Sequence, residues 1–205
     1  MDAQPPPALP LAPSTRETRR ALRERLVALR CAQPETRIAA WSAGIRTHLV
    51  TAFPELAGLR VGFCWPIQNE PDLRPLLAEW RAAARPGFAA LLPVVVAPAT
   101  PLAFRAWDER TPLVEDRYGI PYPAEGPFER PEALLIPVNA FDAEGYRLGY
   151  GGGFFDRTLA GLEPRPLAIG VGFELARVES IIPGAHDIAL DAVVTEAGIF
   201  RPSRR

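Results

Sequence analysis

Four glycines fall within five positions, at Gly149, Gly151, Gly152 and Gly153, with Arg147 just before them and Asp156 and Arg157 just behind. Glycine tolerates positive φ and lets backbone N–H groups approach an anion closely. Apolar residues at Phe155, Leu159 and Leu162 then recur at helical spacing, which predicts a helix beginning near Phe154. Its N-terminal dipole adds partial positive charge at the same place, so the segment is suited to binding phosphate. Asp156, on the first turn, is placed to meet a divalent metal carried by phosphates. Arg147 and Arg157 are candidates for neutralising anionic oxygens through a planar, bidentate fork. The plainer alternative is a surface turn that happens to precede a helix.

Two better-known phosphate loops do not fit. The dinucleotide fingerprint G-x-G-x-x-G requires a third glycine where this chain has Phe154 or Asp156. The Walker loop requires a lysine, and all 23 basic residues here are arginine. The absence of lysine also removes Schiff-base and lysine-base mechanisms. With no G-x-S-x-G and no H-E-x-x-H, serine-nucleophile hydrolysis and zincin chemistry have no motif to stand on.

The elements that must hold this loop can be read from periodicity. Ser14-Thr15-Arg16-Glu17 has the form of a capping box, predicting a helix over 15–30 with Leu22, Leu26 and Leu29 on one face. A second helix is expected from Pro34 to about Val50, with Ile38, Trp41, Ile45 and Leu49 as its stripe. A third is expected over 72–84, with Pro75 in its first turn. Expected strands are 60–65, 89–96 (bent or at an edge because of Pro93), 102–107, 133–137, 167–173 and 189–195. A short helix is expected near 174–180, and the Pro- and Gly-rich stretch 111–129 reads as an extended surface connection. Strands alternating with helices predict an α/β fold, a three-layer sandwich whose mainly parallel central sheet is flanked by helices. Ligands of such sheets bind beyond the carboxyl ends of the strands, and the glycine loop follows the 133–137 strand closely.

The bulk composition sets outer limits. A chain of 205 residues fits one domain, here 14–205, preceded by a proline-rich tail at 1–13 that is expected to be disordered. A net charge of −1 provides no global field for nucleic acid or anionic lipid. No apolar run approaches the roughly 18–20 residues that span a bilayer, and the proline-broken N-terminus makes a poor signal peptide. Two cysteines, Cys31 and Cys64, form no metal-ligand spacing and fit reduced thiols in a cytoplasmic protein. A monomer is expected.

Several segments taken together resemble the 5-formyltetrahydrofolate cyclo-ligase family, also called methenyltetrahydrofolate synthetase. They are RRALRERL (19–26), PIQNEPD (66–72), LLIPVNAFDAEGYRLGYGGGFFDRTL (134–159) and HDIALDAVVTE (186–196), in that order and spacing. The most specific is the R-L-G-x-G-x-G-[FY]-[FY]-D-R core. The resemblance implies an enzyme that uses ATP and Mg²⁺ to convert 5-formyltetrahydrofolate to 5,10-methenyltetrahydrofolate, releasing ADP and phosphate. It implies that the formyl oxygen attacks the γ-phosphate and that N10 then closes the ring. It implies ATP contacts at Arg19, Arg23, Arg147, Gly149, Gly151, Gly152, Gly153 and Arg157, and substrate contacts at Trp65, Glu70, Tyr150 and Phe154. It also implies Mg²⁺ carboxylates at Asp156 and Asp187, with Arg147 and Asp156 catalytic. Taken alone, Arg19 and Arg23 read as part of a solvated basic face, Glu70 as an exposed loop acid and Asp187 as a turn cap after Gly184. Trp65 reads equally well as a core aromatic ending a strand. His186 reads as a packing partner, Asp191 is a lesser acidic candidate, and His48 has no assignment.

Three positions depart from a common family pattern. Gly152 stands where many members have lysine, so Arg147 or Arg157 must supply the missing charge or turnover should be slow. Arg19 replaces a frequent lysine, and Phe155 a frequent tyrosine. Two other classes of function stay open on the residues: a folate- or nucleotide-binding homologue without turnover, kept alive by Gly152, and an isomerase or acyl-CoA transferase on a related scaffold. The latter has no use for Asp156 as a metal ligand.

Overall fold

The computed structural model describes residues 18–202; the expected tail and the Ser14–Glu17 box lie outside them. The first helix, α1, is Arg19–Cys31, and its cap is Thr18, whose hydroxyl accepts from the Ala21 amide at 3.2 Å. Leu22, Leu26 and Arg30 are its buried residues, while Leu29 is 46% exposed. The expected stripe is therefore corrected at its last member. Steps of four carry the buried face from Leu22 through Leu26 to Arg30, and Leu29 falls beside it. Helix α2, Glu35–Ala52, follows Pro34, and a 3-10 turn at Pro54–Gly58 leads into strand β1, Arg60–Gly62.

Helix α3, Arg74–Ala82, carries Pro75 in its first turn and returns the chain to β2, Ala89–Val94, which pairs parallel with β1. Strand β3, Ala103–Trp107, runs antiparallel to β2. Pro93 opposes Phe104 on β3 but lies beyond the stretch of β2 that pairs with β1, so its missing N–H costs that side no ladder bond. The 111–129 connection carries an unexpected two-stranded ribbon, β4 (Leu113–Glu115) with β5 (Pro121–Pro123). The remaining strands are β6 (Ala133–Pro137), β7 (Ala140–Phe141), β8 (Arg147–Leu148), β9 (Leu167–Val171), β10 (Ala192–Thr195) and β11 (Gly198–Phe200), with α4 at Phe154–Gly161. Of the helix expected over 174–180 only a 3-10 turn at Glu174–Ala176 forms.

The main sheet has the order β11-β10-β9-β6-β1-β2-β3, parallel except for the two edge strands. Alternation along the strands divides the core into two faces. Ala133 and Leu135 of β6 join α2 and α3 on one face, while Leu134 and Ile136 join Leu159 of α4 on the other. This is the expected three-layer arrangement, with one difference. Helix α1 covers neither face; Leu22 and Leu26 pack on Ala140 and Leu148 of the β7–β8 ribbon. From β1 the chain runs outward to β2 and then returns to β6 on the opposite side of β1. The carboxyl ends of β1 and β6 thus diverge at a topological switch point, where open α/β sheets form their ligand crevice.

Candidate active site

Three groups of polar side chains are linked beyond these strand ends. The first is the glycine loop. Gly151 and Gly153 have φ of +92° and +63°, values that L side chains rarely adopt, and Gly153 is the N-cap of α4. At Gly152 the limit is different: a Cβ there would lie 2.7 Å from the Phe154 ring, so a side chain needs that ring to shift. A lysine at this position would have to displace that ring. Arg157 lies over the Phe154 ring, its carbon 5.4 Å from the centroid, and donates to the Gly152 carbonyl. From α1, Arg23 donates through Nε to the Gly149 carbonyl at 2.6 Å, and a Cβ on Gly151 would meet its Nη2 at 3.4 Å. Burial and the neighbouring Arg19 lower the pKa of Arg23, leaving a partly desolvated cation against the loop.

The second group is built on two carboxylates. Arg147 is buried, its side chain 4% exposed, and donates to Asp156 Oδ1 at 3.0 Å and to the Ile188 carbonyl at 2.7 Å. The Ile188 amide returns a bond to the same Asp156 oxygen at 3.0 Å, locking the segment after Asp187 against α4. Asp187 pairs with Arg19, accepting from Nη2 at 3.0 Å and from Nη1, and also accepts from the Gly184 amide at 2.6 Å. The Arg19 hydrogen bonds hold the Asp187 carboxyl below its usual range. The turn-cap reading of Asp187 is thus realised together with an ion pair. His186 is exposed, and both oxygens of Asp191 accept from Arg165 Nη1 at 3.0 Å.

The third group lies at the ends of β1 and β6. Glu70 is 4% exposed, not the surface acid its loop position suggests. It accepts from the Ile67 amide at 3.1 Å and from the Tyr150 hydroxyl at 2.8 Å. Arg30 stands 3.9 Å from its Oε1 and donates to Tyr150 Oη at 3.1 Å, the Gln68 carbonyl at 2.9 Å and Asn139 Oδ1 at 2.8 Å. Burial raises the pKa of Glu70 against the opposing pull of Arg30, the Ile67 amide and the Tyr150 hydroxyl. The Tyr150 phenol is also pushed up, by burial and the Glu70 charge.

The sequence-derived candidates mostly converge. Arg19, Arg23, Arg147, Gly149–Gly153, Asp156, Arg157 and Asp187 surround one end of α4, and Tyr150 joins that loop to Glu70. Trp65 does not join them directly. Its ring lies under the Arg74 guanidinium at 4.5 Å and meets Trp107 edge-on at 6.2 Å, lining a neighbouring cleft of about 420 Å³. Arg147 and Arg157, expected to reach anionic oxygens, are spent on protein acceptors. Two residues escaped the sequence reading. Arg30 lies two helical turns beyond Arg23 on the same stripe, and Asn139 interrupts the apolar run IPVNAF; spacing marks the one and a lone polar residue the other.

As to a metal, the donors nearest the loop are hard carboxylate oxygens, which suit Mg²⁺ held with phosphate oxygens and water. Asp156 engages only Oδ1 among the described residues, leaving Oδ2 available, whereas both Asp187 oxygens are taken. Among the described residues no group of three or more His, Cys, Asp or Glu forms a ready-made metal site. No helix among them is long and apolar enough to cross a membrane.

Comparison with known proteins places this geometry in context. Residues 15–196 match the model of the 5-formyltetrahydrofolate cyclo-ligase family. The chain is 32% identical over 161 residues to 5-formyltetrahydrofolate cyclo-ligase of Escherichia coli K12, covering 75% of this chain and 87% of that protein. It is 31% identical over 150 residues to the Mycolicibacterium smegmatis protein of the same name, covering 69% of this chain and 75% of that one. Among solved structures, 5,10-methenyltetrahydrofolate synthetase of Aquifex aeolicus superposes with a TM-score of 0.77 at 27% identity, covering 91% of this chain and 94% of the other.

Proposed function

The chain belongs to the 5-formyltetrahydrofolate cyclo-ligase family, a family of ligases, and from that premise we propose that it closes 5-formyltetrahydrofolate to 5,10-methenyltetrahydrofolate at the expense of ATP and Mg²⁺ in the cytoplasm. One observation carries the reading: Tyr150 ties the glycine loop to the buried Glu70, so a phosphate-binding segment and an acceptor suited to ring N–H groups are directly joined. The amides of Gly149–Gly153 and the α4 N-terminus bind the triphosphate, with Arg19 and Arg23 supplying positive charge. Arg157 stacks over Phe154 and pins the Gly152 carbonyl, which fixes this part of the loop. Asp156, joined by Asp187 when phosphate draws Arg19 away, would hold Mg²⁺, which neutralises charge on the transferring group. Arg147 acts as a positioning residue that fixes Asp156.

Glu70 accepts from the 2-amino group and N3–H of the pterin, two adjacent donors matched to one carboxylate, and Trp65 borders the cleft next to it. The formyl oxygen attacks the γ-phosphorus and ADP departs, leaving an O-phosphorylated imidate. N10 then attacks the activated carbon, and phosphate leaves as the ring closes. An amide oxygen is a poor leaving group and phosphate a good one, so the protein's share is in-line positioning and charge neutralisation.

Mixing protein, ATP, Mg²⁺ and 5-formyltetrahydrofolate should give methenyl absorbance in step with ADP release. Tight binding of both ligands without turnover would instead indicate a non-catalytic homologue. A pH dependence follows from Glu70. Because its pKa is raised, falling pH protonates it before exposed carboxylates, and the ionised acceptor is lost. The Kd for 5-formyltetrahydrofolate should therefore weaken about tenfold per unit below that pKa, and Glu70→Gln should be weak and flat in calorimetry across the range in which wild type shows that slope. A wild-type slope retained by Glu70→Gln would count against this role.

A further inference from the structure

Asn139 is 2% exposed and Arg30 4%, and the reaction as described uses neither. Arginine has donors only, so the amide atom 2.8 Å from Arg30 Nη1 is the oxygen, and the nitrogen is the opposite end. That nitrogen, Nδ2, is buried without an acceptor among the described residues. Buried donors are almost always paired, so an orphan calls for a reason. Its location supplies one. Asn139 lies just past the end of β6, at the switch point, and the guanidinium that grips its oxygen also stands 3.9 Å from Glu70 Oε1. One arginine therefore touches both the acceptor Glu70 and the amide whose other end is the unpaired donor Asn139 Nδ2.

We propose that Asn139 Nδ2 donates to the 4-oxo group of the substrate's pterin ring, with Arg30 as the positioning residue. The inference rests on the folate reading of this site. Along one edge of a pterin run the 2-amino donor, the N3–H donor and the O4 acceptor. A carboxylate beside an amide nitrogen offers acceptor, acceptor and donor, the complementary order. Tyr150 is 46% exposed and its hydroxyl donates to Glu70 at 2.8 Å; it is the group that yields to the ring edge. Its neighbour Gly151, at φ +92°, belongs to the loop that must move with it. Nδ2 gains its acceptor when the substrate enters, so the site selects 4-oxo pterins over 4-amino ones, whose amino group would meet it donor to donor.

The test is calorimetry on the intact protein with 5-formyltetrahydrofolate and its 2,4-diamino counterpart, with ATP as a control ligand. Wild type should prefer the 4-oxo compound by roughly 10²-fold or more, the scale expected when a site built to pair a polar group meets one it cannot pair. Asn139→Asp, nearly isosteric, keeps an oxygen for Arg30 and turns the donor into an acceptor; it should cut that preference at least tenfold. Asn139→Ala should also reduce it, and ATP affinity should be unchanged in both Asn139 variants; Arg30→Gln should reduce the preference as well. A wild-type preference in Asn139→Asp, with ATP still bound, would overturn the proposal while leaving the folate reading intact. Failure of the wild type to bind either pterin would overturn both.

Discussion

Asp156→Asn should lower cyclisation turnover by about 10³-fold while leaving a folded protein. The amide keeps an oxygen for the Arg147 guanidinium and the Ile188 amide, the two donors that Oδ1 serves at 3.0 Å. What it loses is the negative charge that the proposed Mg²⁺ site requires, and removing one electrostatic contributor to a transition state costs about 10²–10³-fold. The buried Arg147 also loses its counter-charge but not its hydrogen bond, so a stability loss of about 1–3 kcal/mol is expected. Single-turnover kinetics at saturating ATP, with Mg²⁺ titrated, separates the two effects: the rate at saturating Mg²⁺ should fall and half-saturation should move to higher Mg²⁺. Wild-type rates in this variant would remove Asp156 from the reaction.

Such a variant can be designed largely from the sequence, because the loop's structure is locally determined. Glycine density, the FFDR run and the 3.6-residue recurrence together predict a helix at Phe154, where α4 begins. The apolar run 133–137 is β6 without adjustment, because a strand buried on both faces needs no partner to announce itself. Readings that depended on distant partners fared differently. Whether Leu29 or Arg30 turns inward depends on Asn139, Tyr150 and Gln68, all remote in sequence, and local periodicity favoured the leucine. Glu70 follows Asn69 and precedes a proline, the composition of a surface turn, yet the crossover from β1 buries it. Strand β5 of the β4–β5 ribbon is PYP, with prolines that usually break strands at both ends, and β11 is three residues long. Asp187 was legible as a turn cap, but its partner Arg19 lies at the other end of the chain. The sequence thus yields the chemistry of the residues; the pairings that tune it are products of the fold.

Arg147 carries the largest expected structural effect. In Arg147→Met, Asp156 Oδ1 keeps only the Ile188 amide, and the Ile188 carbonyl loses its 2.7 Å donor. The Asp156 side chain left behind is 21% exposed and partly solvated, so the loss is about 2–3 kcal/mol, below the about 3–5 kcal/mol of a fully buried pair, or roughly 5–10 °C in Tm for a chain of this size. Turnover should fall with it, because Asp156 and the segment after Asp187 are no longer held together. Arg147→Lys should recover only part of the loss. A single ammonium keeps the charge but not the fork that serves a carboxylate and a carbonyl together. Stability and chemistry can then be separated with the double variant Arg147→Met/Asp156→Leu. With no charge left unpaired, its Tm should rise well above that of Arg147→Met, while its turnover stays at the level of Asp156→Asn or below. An Arg147→Met protein that melts with the wild type would show that this pair does not hold α4 to the 187–188 segment. A double variant that regained turnover along with Tm would show that Asp156 matters for folding alone.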